Sequence, residues 1–198
     1  MSNEELEDEN VEFKGIIYIN QECDKPDLVN SLPSELKDFY KQINGLVAYN
    51  GGFQIRGIGS VPKWNSLEDI WTGENALHKT YPKLSPEDIP FAQDCLGDQY
   101  IFRGGSVWQL LTETGDLDDL ELEFDEFIDE VIEDPIEFLA LYPLIDYMDA
   151  GNELEPGELL VPSLPFTIET EEEYTFTKAS IQERLQWLFN YYNENHKK

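Results

Sequence analysis

The sequence predicts an α+β domain: an antiparallel or mixed β-sheet with helices packed mainly on one side. Three observations predict it. The centre of the chain is a series of β-branched and aromatic runs separated only by turn compositions. Amphipathic helical periodicities flank that centre on both sides. No internal repeat or low-complexity linker divides the 198 residues, and roughly 100–200 residues is the usual size of one domain. A domain of this length buries about 70% of its unfolded surface and needs no metal or disulfide staple.

Residues 1–10 carry five acids and read as a disordered acidic tail, with one domain over 11–198. Val11 to Asn20 (VEFKGIIYIN) is rich in β-formers and predicts a strand. Leu36, Phe39, Tyr40 and Ile43 then recur at helical spacing, with Ser31 as expected N-cap, Pro33 in the first turn and Asn44-Gly45 as the stop. A hairpin comes next: Leu46-Val47-Ala48-Tyr49, the turn Asn50-Gly51-Gly52, and Phe53-Gln54-Ile55-Arg56. A short helix is expected from about Ser66 to His78, interrupted by Gly73.

Three strands are expected in the centre, at Ile89–Ala92, Gln99–Phe102 and Val107–Leu111. The intervening Asp94–Asp98 and Arg103–Ser106 have turn compositions, and Thr114-Gly115-Asp116 is read as the end of this meander. Phe124, Phe127, Ile128 and Val131 then take the spacing i, i+3, i+4, i+7 in an acidic helix. Asp134-Pro135 restarts helix as cap and first residue, running to Pro143. From about residue 150 the chain is an extension punctuated by Gly, Pro and Glu, with a short strand at Leu159-Leu160-Val161. Ser180 and Glu183 form a capping box for a last helix with apolar face Ile181, Leu185, Leu188 and Tyr192.

Charge sets the broad limits on function. With 42 Asp and Glu against 13 Lys and Arg, the net charge is −29. Phosphate contacts need clustered bases, so nucleic acid is excluded as a partner, and anionic membrane surfaces with it. The 40% hydrophobic and 13% aromatic content argues for a folded core in spite of the charge. The acidity is also localised: residues 104–177 hold 22 carboxylates and no Lys or Arg. Such a segment serves either as a solubilising surface or as a docking face for a basic partner.

Other chemistry is sparse. Cys23 and Cys95 form no framework and read as free thiols, and the N-terminus has neither the basic nor the apolar region of a signal peptide. A cytoplasmic location is expected. His78 and His196 have no ligand-spaced partners, so no metal or other cofactor is expected. Asp116-x-Asp118 starts like an EF-hand loop, but Glu121 stands at the turn glycine and Phe127 at the bidentate acid. No pair of carboxylates stands out as a glycosidase pair, and no enzyme is expected. The four tryptophans default to core packing, although Trp108, beside the acidic segment, also suits a partly exposed anchor.

Four stretches, in order, carry a family resemblance: Leu32-Pro33 leading into Leu36, Phe39-Tyr40 and Asn44-Gly45; Pro90–Asp94 with Gly97-Asp98, Tyr100, Gly105 and Val107-Trp108; the acidic helix with Phe124 and Phe127-Ile128; and Glu155–Leu160 with Pro165-Phe166. Together they resemble the SUKH superfamily, which includes fungal regulators of cell-wall glucan synthesis and many bacterial immunity proteins. The resemblance implies a non-enzymatic protein that binds and neutralises a cognate toxin encoded nearby, often a nuclease. The alternative it implies is a regulatory scaffold linked to cell-wall synthesis. A basic toxin active site and this acidic chain are complementary. Trp108, Glu113, Asp116, Asp118, Asp119 and Glu121 are the expected partner-binding residues, at a strand-to-helix connection. Asp94, Gly97 and Asp98 are read as fixing a turn rather than contacting a partner. Oligomeric state is not legible from the sequence.

Overall fold

The computed structural model describes residues 13–196, so the acidic tail and the expected strand start at Val11 lie outside the described residues. The chain begins with strand β1 (Ile16–Ile19) and helices α1 (Pro26–Ser31) and α2 (Ser34–Tyr40). Strands β2 (Leu46–Ala48) and β3 (Phe53–Ile55), helix α3 (Leu67–Trp71) and strands β4 (Ile89–Asp94), β5 (Gln99–Arg103), β6 (Ser106–Leu111) and β7 (Asp116–Leu122) come next. Helices α4 (Phe124–Glu133), α5 (Pro135–Phe138) and α6 (Tyr142–Asp149), strands β8 (Glu158–Pro162) and β9 (Phe176–Ser180) and helix α7 (Ile181–His196) complete it.

Strands β1 to β7 form one seven-stranded sheet in sequential order, antiparallel at every pairing. Because side chains alternate along a strand, the register sorts them into two faces. Leu46, Ile55, Ala92 and Tyr100 pair in one row. That face carries the larger core, packed by Leu36 and Tyr40 of α2, Phe124, Phe127 and Val131 of α4, and Leu144 of α6. The opposite row runs Val47, Gln54, Gln93, Gln99, Leu110, Leu117. There a second core forms under α7, with Ile101, Leu110, Leu159, Leu185 and Leu188. Most helices thus share one face, and the C-terminal helix covers the other.

Three glutamines in the middle of the second row are fully buried, so their polar groups must be satisfied internally. Arg56, one residue beyond β3, does much of this. Its guanidinium donates to the side-chain oxygens of Gln93 and Gln99 at 2.6 Å each, and to the Pro90 and Ala92 carbonyls at 2.8 and 3.1 Å. Gln93 donates to Gln54 at 3.0 Å, and Gln54 to Asn65 at 2.5 Å.

Several elements differ from expectation. Ser31 closes α1, its hydroxyl donating to the Leu28 carbonyl at 2.7 Å, and Pro33 takes the N-cap position of α2. The helix expected to end at Pro143 stops at Phe138. Ala140 turns left-handed at φ +51, and Pro143 lies in the first turn of α6. Strand β9 carries Thr177 and Lys178 and shows little β signal by itself; it forms by pairing with β8 over five positions.

The largest difference is β7. Thr114-Gly115 does not end the meander but turns it, with Gly115 at φ +70 and its N–H donating to the Leu111 carbonyl at 2.7 Å. Trp108 pairs with Asp119 while Val107 pairs with Leu122, so Leu120 and Glu121 form a bulge in which Glu121 has φ +59. Leu117 packs toward the second core and Leu120 and Leu122 toward the larger one, as alternation along the strand places odd and even positions, so the leucines of β7 mark no single apolar face.

Candidate partner-binding face

The acidic segment is therefore a sheet edge followed by a helix, not a loop. All twelve carboxylates from Asp116 to Glu137 are exposed. Among the described residues only Asp116 of these has an ion-pair partner, Lys83 at 2.9 Å. Charge on an edge strand also blocks pairing with another sheet edge.

The six expected binding residues do not share one environment. Asp116, Asp118, Asp119 and Glu121 all lie on β7 and are exposed. The register places Asp119 on the Trp108 face of the sheet and Asp118 opposite Gln109 on the other. Asp119 shapes the bulge: its Oδ1 accepts from the Ser106 hydroxyl at 2.6 Å and the Glu121 N–H at 2.9 Å. The hydrogen bond from Ser106 holds the Asp119 carboxyl below the usual range, and that from Lys83 does the same for Asp116. Both stay ionised at neutral pH. Trp108 is half-buried, with the Arg103 guanidinium 5.0 Å over its ring.

Glu113 stands apart. It is buried between β6 and β7, with Arg184 Nη2 of α7 3.7 Å from its Oε1. Burial pushes its carboxyl up, against the pull of the Arg184 charge. It belongs to the interior, not to the β7 surface.

Asp94, Gly97 and Asp98 lie together at the β4–β5 turn. Asp94 Oδ1 accepts the N–H groups of Leu96, Gly97 and Asp98 at 2.9, 2.9 and 3.0 Å. Gly97 has φ +99, a conformation that favours glycine. Asp98 accepts from the Thr112 N–H and hydroxyl, both at 2.7 Å, which ties the turn to the end of β6. Burial, with the Asp98 charge adding to it, pushes the Asp94 carboxyl up to about 8.

A groove of about 580 Å³ between α2 and α4 was not legible in the sequence. Glu35, Asp38, Asp125 and Asp129 stand along it, and Phe39, Phe124 and Ile128 line its apolar part. Phe39 and Ile128 sit at the margins of their helices' apolar stripes and are half-buried. That marginal placement was the available signal, but the pairing of the two helices is tertiary.

A sequential antiparallel sheet with helices on both faces, carrying these turn and helix motifs in this order, defines an α+β domain of SUKH type. Residues 27–130 match the SMI1 / KNR4 family (SUKH-1), and the chain belongs to that family. The matched stretch runs from α1 into α4 and includes β7; residues 131–198 lie beyond it. Comparison with curated proteins and with solved structures finds no match. The superfamily covers both immunity and cell-wall regulatory members, which are generally non-enzymatic and act by protein–protein interaction. Among the described residues no helix is long and apolar enough to cross a membrane.

Proposed function

We propose that this chain is a non-enzymatic immunity protein, acting in the cytoplasm, that binds a basic protein toxin and occludes its active site. The supporting observation is the run of twelve exposed carboxylates over β7 and α4, with one ion-paired base among the described residues. A nuclease holds phosphates with a basic surface, and this face presents the same sign of charge as that substrate. Its field steers a basic partner and raises the on-rate at low salt. The α2–α4 groove supplies what charge lacks, an apolar surface on which an anchor side chain gains affinity.

Co-expression with the toxin encoded beside this gene tests the reading. Protection of the cell and a co-purifying complex are expected. No protection and no complex overturns it. Partners pulled down from a strain without any such toxin gene would favour the cell-wall regulatory role known in the superfamily instead.

A further inference from the structure

A second feature lies beside the β6–β7 turn, where α7 meets the loop before β9. A cavity of about 220 Å³ is lined there by Asp98, Thr112, Glu113, Phe166, Thr167 and Arg184, among others. Glu113 is 8% exposed, and its Oε1 is buried with no hydrogen-bond partner. Arg184 is near enough for ion pairing at 3.7 Å but beyond hydrogen-bond reach. It is held elsewhere: its Nε donates to the Leu96 carbonyl at 3.2 Å, and its guanidinium lies 4.8 Å over the Trp187 ring. A buried charged acceptor left unmatched is costly, and a donor entering the cavity would satisfy it.

The mouth of the cavity is built for contact. Phe166, Ile168 and Trp187 are 43%, 43% and 41% exposed, unusual for large apolar side chains. Trp187 stacks on Tyr191 at 5.0 Å, and the Tyr191 hydroxyl is 2.6 Å from Thr167 Oγ1. Aromatic residues of this kind dominate binding hot spots. The same loop continues into Glu169, Glu171, Glu172 and Glu173, all exposed. Inside, two carboxylates, Asp98 and Glu113, face one arginine. The charge therefore selects a cation over an anion.

We infer that this cavity receives one lysine or arginine side chain of a protein partner, its cationic head donating to Glu113 Oε1 while the Phe166–Trp187–Tyr191 surface packs on the neighbouring partner residues. The site does not depend on the toxin assignment.

The test is an NMR titration of the full chain with the blocked peptides acetyl-Gly-Lys-Gly-amide and acetyl-Gly-Arg-Gly-amide. Acetyl-Gly-acetyllysine-Gly-amide serves as the uncharged control. Saturable shifts at the Thr167 amide and Trp187 indole are expected with at least one cationic peptide, and affinity at least tenfold lower for the control. Glu113→Gln should weaken binding at least tenfold while preserving the native spectrum. Thr167→Arg, which supplies a cation from the chain itself, should block the titration and carries the test if Glu113→Gln fails to fold. Absence of saturable shifts at these two probes, shifts confined to β7 and α4, or equal affinity in a folded variant would overturn the inference.

Discussion

Arg56, one residue beyond β3, and Gln99 on β5 are joined across β4 by a 2.6 Å hydrogen bond on the buried face of the sheet. Among the described residues no carboxylate forms an ion pair with this guanidinium; its hydrogen-bond partners are four neutral oxygens of β4 and β5. Burial depresses its pKa to about 10, so it remains charged at neutral pH. The cost of burying the charge is offset by the four hydrogen bonds its two Nη groups donate.

Removal of that cation strands four acceptors at once. Arg56→Met should cost about 3–5 kcal/mol, the range for breaking a buried charged network. Urea denaturation measures it. A midpoint equal to that of the parent would show that the glutamine row is satisfied without Arg56.

Asp94 makes stability depend on pH in an unusual direction. Its folded-state pKa of about 8 lies above its ordinary 3.8, so between those values the folded state holds a proton that the unfolded state has released. Stability contributed by this group is therefore greatest near pH 4 and is lost as pH rises toward 8, with a slope of at most about 1.4 kcal/mol per unit. Asp94→Asn keeps the Oδ1 acceptor for the three turn amides and should flatten that slope. Melting temperatures of both proteins from pH 4 to 9 decide the point; parallel curves would refute it.

Gly97 is constrained twice. Its φ is +99, and a Cβ would lie 2.9 Å from Leu188 Cδ1 of α7. Gly97→Ala should lower stability by about 1–3 kcal/mol through strain and overpacking between the turn and the last helix. A thermal melt within a degree of the parent would contradict this.

Charge reversal tests the acidic face, provided the residues chosen do not also hold the fold. Asp119 is unsuitable, because it organises the β7 bulge, and Asp119→Ala should itself lower the melting temperature. Asp118, Glu121 and Asp129 carry exposed carboxylates suited to the purpose. Their simultaneous change to Lys should slow association with a basic toxin at least about tenfold at low salt and weaken its salt dependence. Stopped-flow rates over a salt series report this, and an unchanged rate would sink the electrostatic mechanism.

The hairpin at Asn50-Gly51, the three central strands, the acidic helix and the Ser180/Glu183 capping box were legible because each rests on local spacing. In the last, the Glu183 N–H donates to the Ser180 hydroxyl at 3.3 Å and the Ser180 N–H to the Glu183 carboxylate at 3.2 Å, as a capping box requires. β7 was not legible, since its leucines divide between the two faces, Leu117 on one and Leu120 and Leu122 on the other, and leave no apolar alternation to recognise. β9 was not legible for a related reason: its stability comes from its pairing with β8 rather than from its own residue types. The candidate site divides in the same way. Its acidity was visible from composition, whereas the separation of Glu113 from its acidic neighbours depends on Arg184, 71 residues further along the chain.

The sequence by itself determined the α+β class, the order of most elements, the family and the location of the charge, because propensity, periodicity and net charge are local or additive properties. Only the tertiary structure decided which carboxylates share a surface. It placed the β7 acids on an exposed edge, paired α2 with α4 around a groove, and buried Glu113 with one oxygen unsatisfied. Those outcomes depend on strand register and on contacts between distant segments, and a one-residue shift in register reverses the face of every side chain.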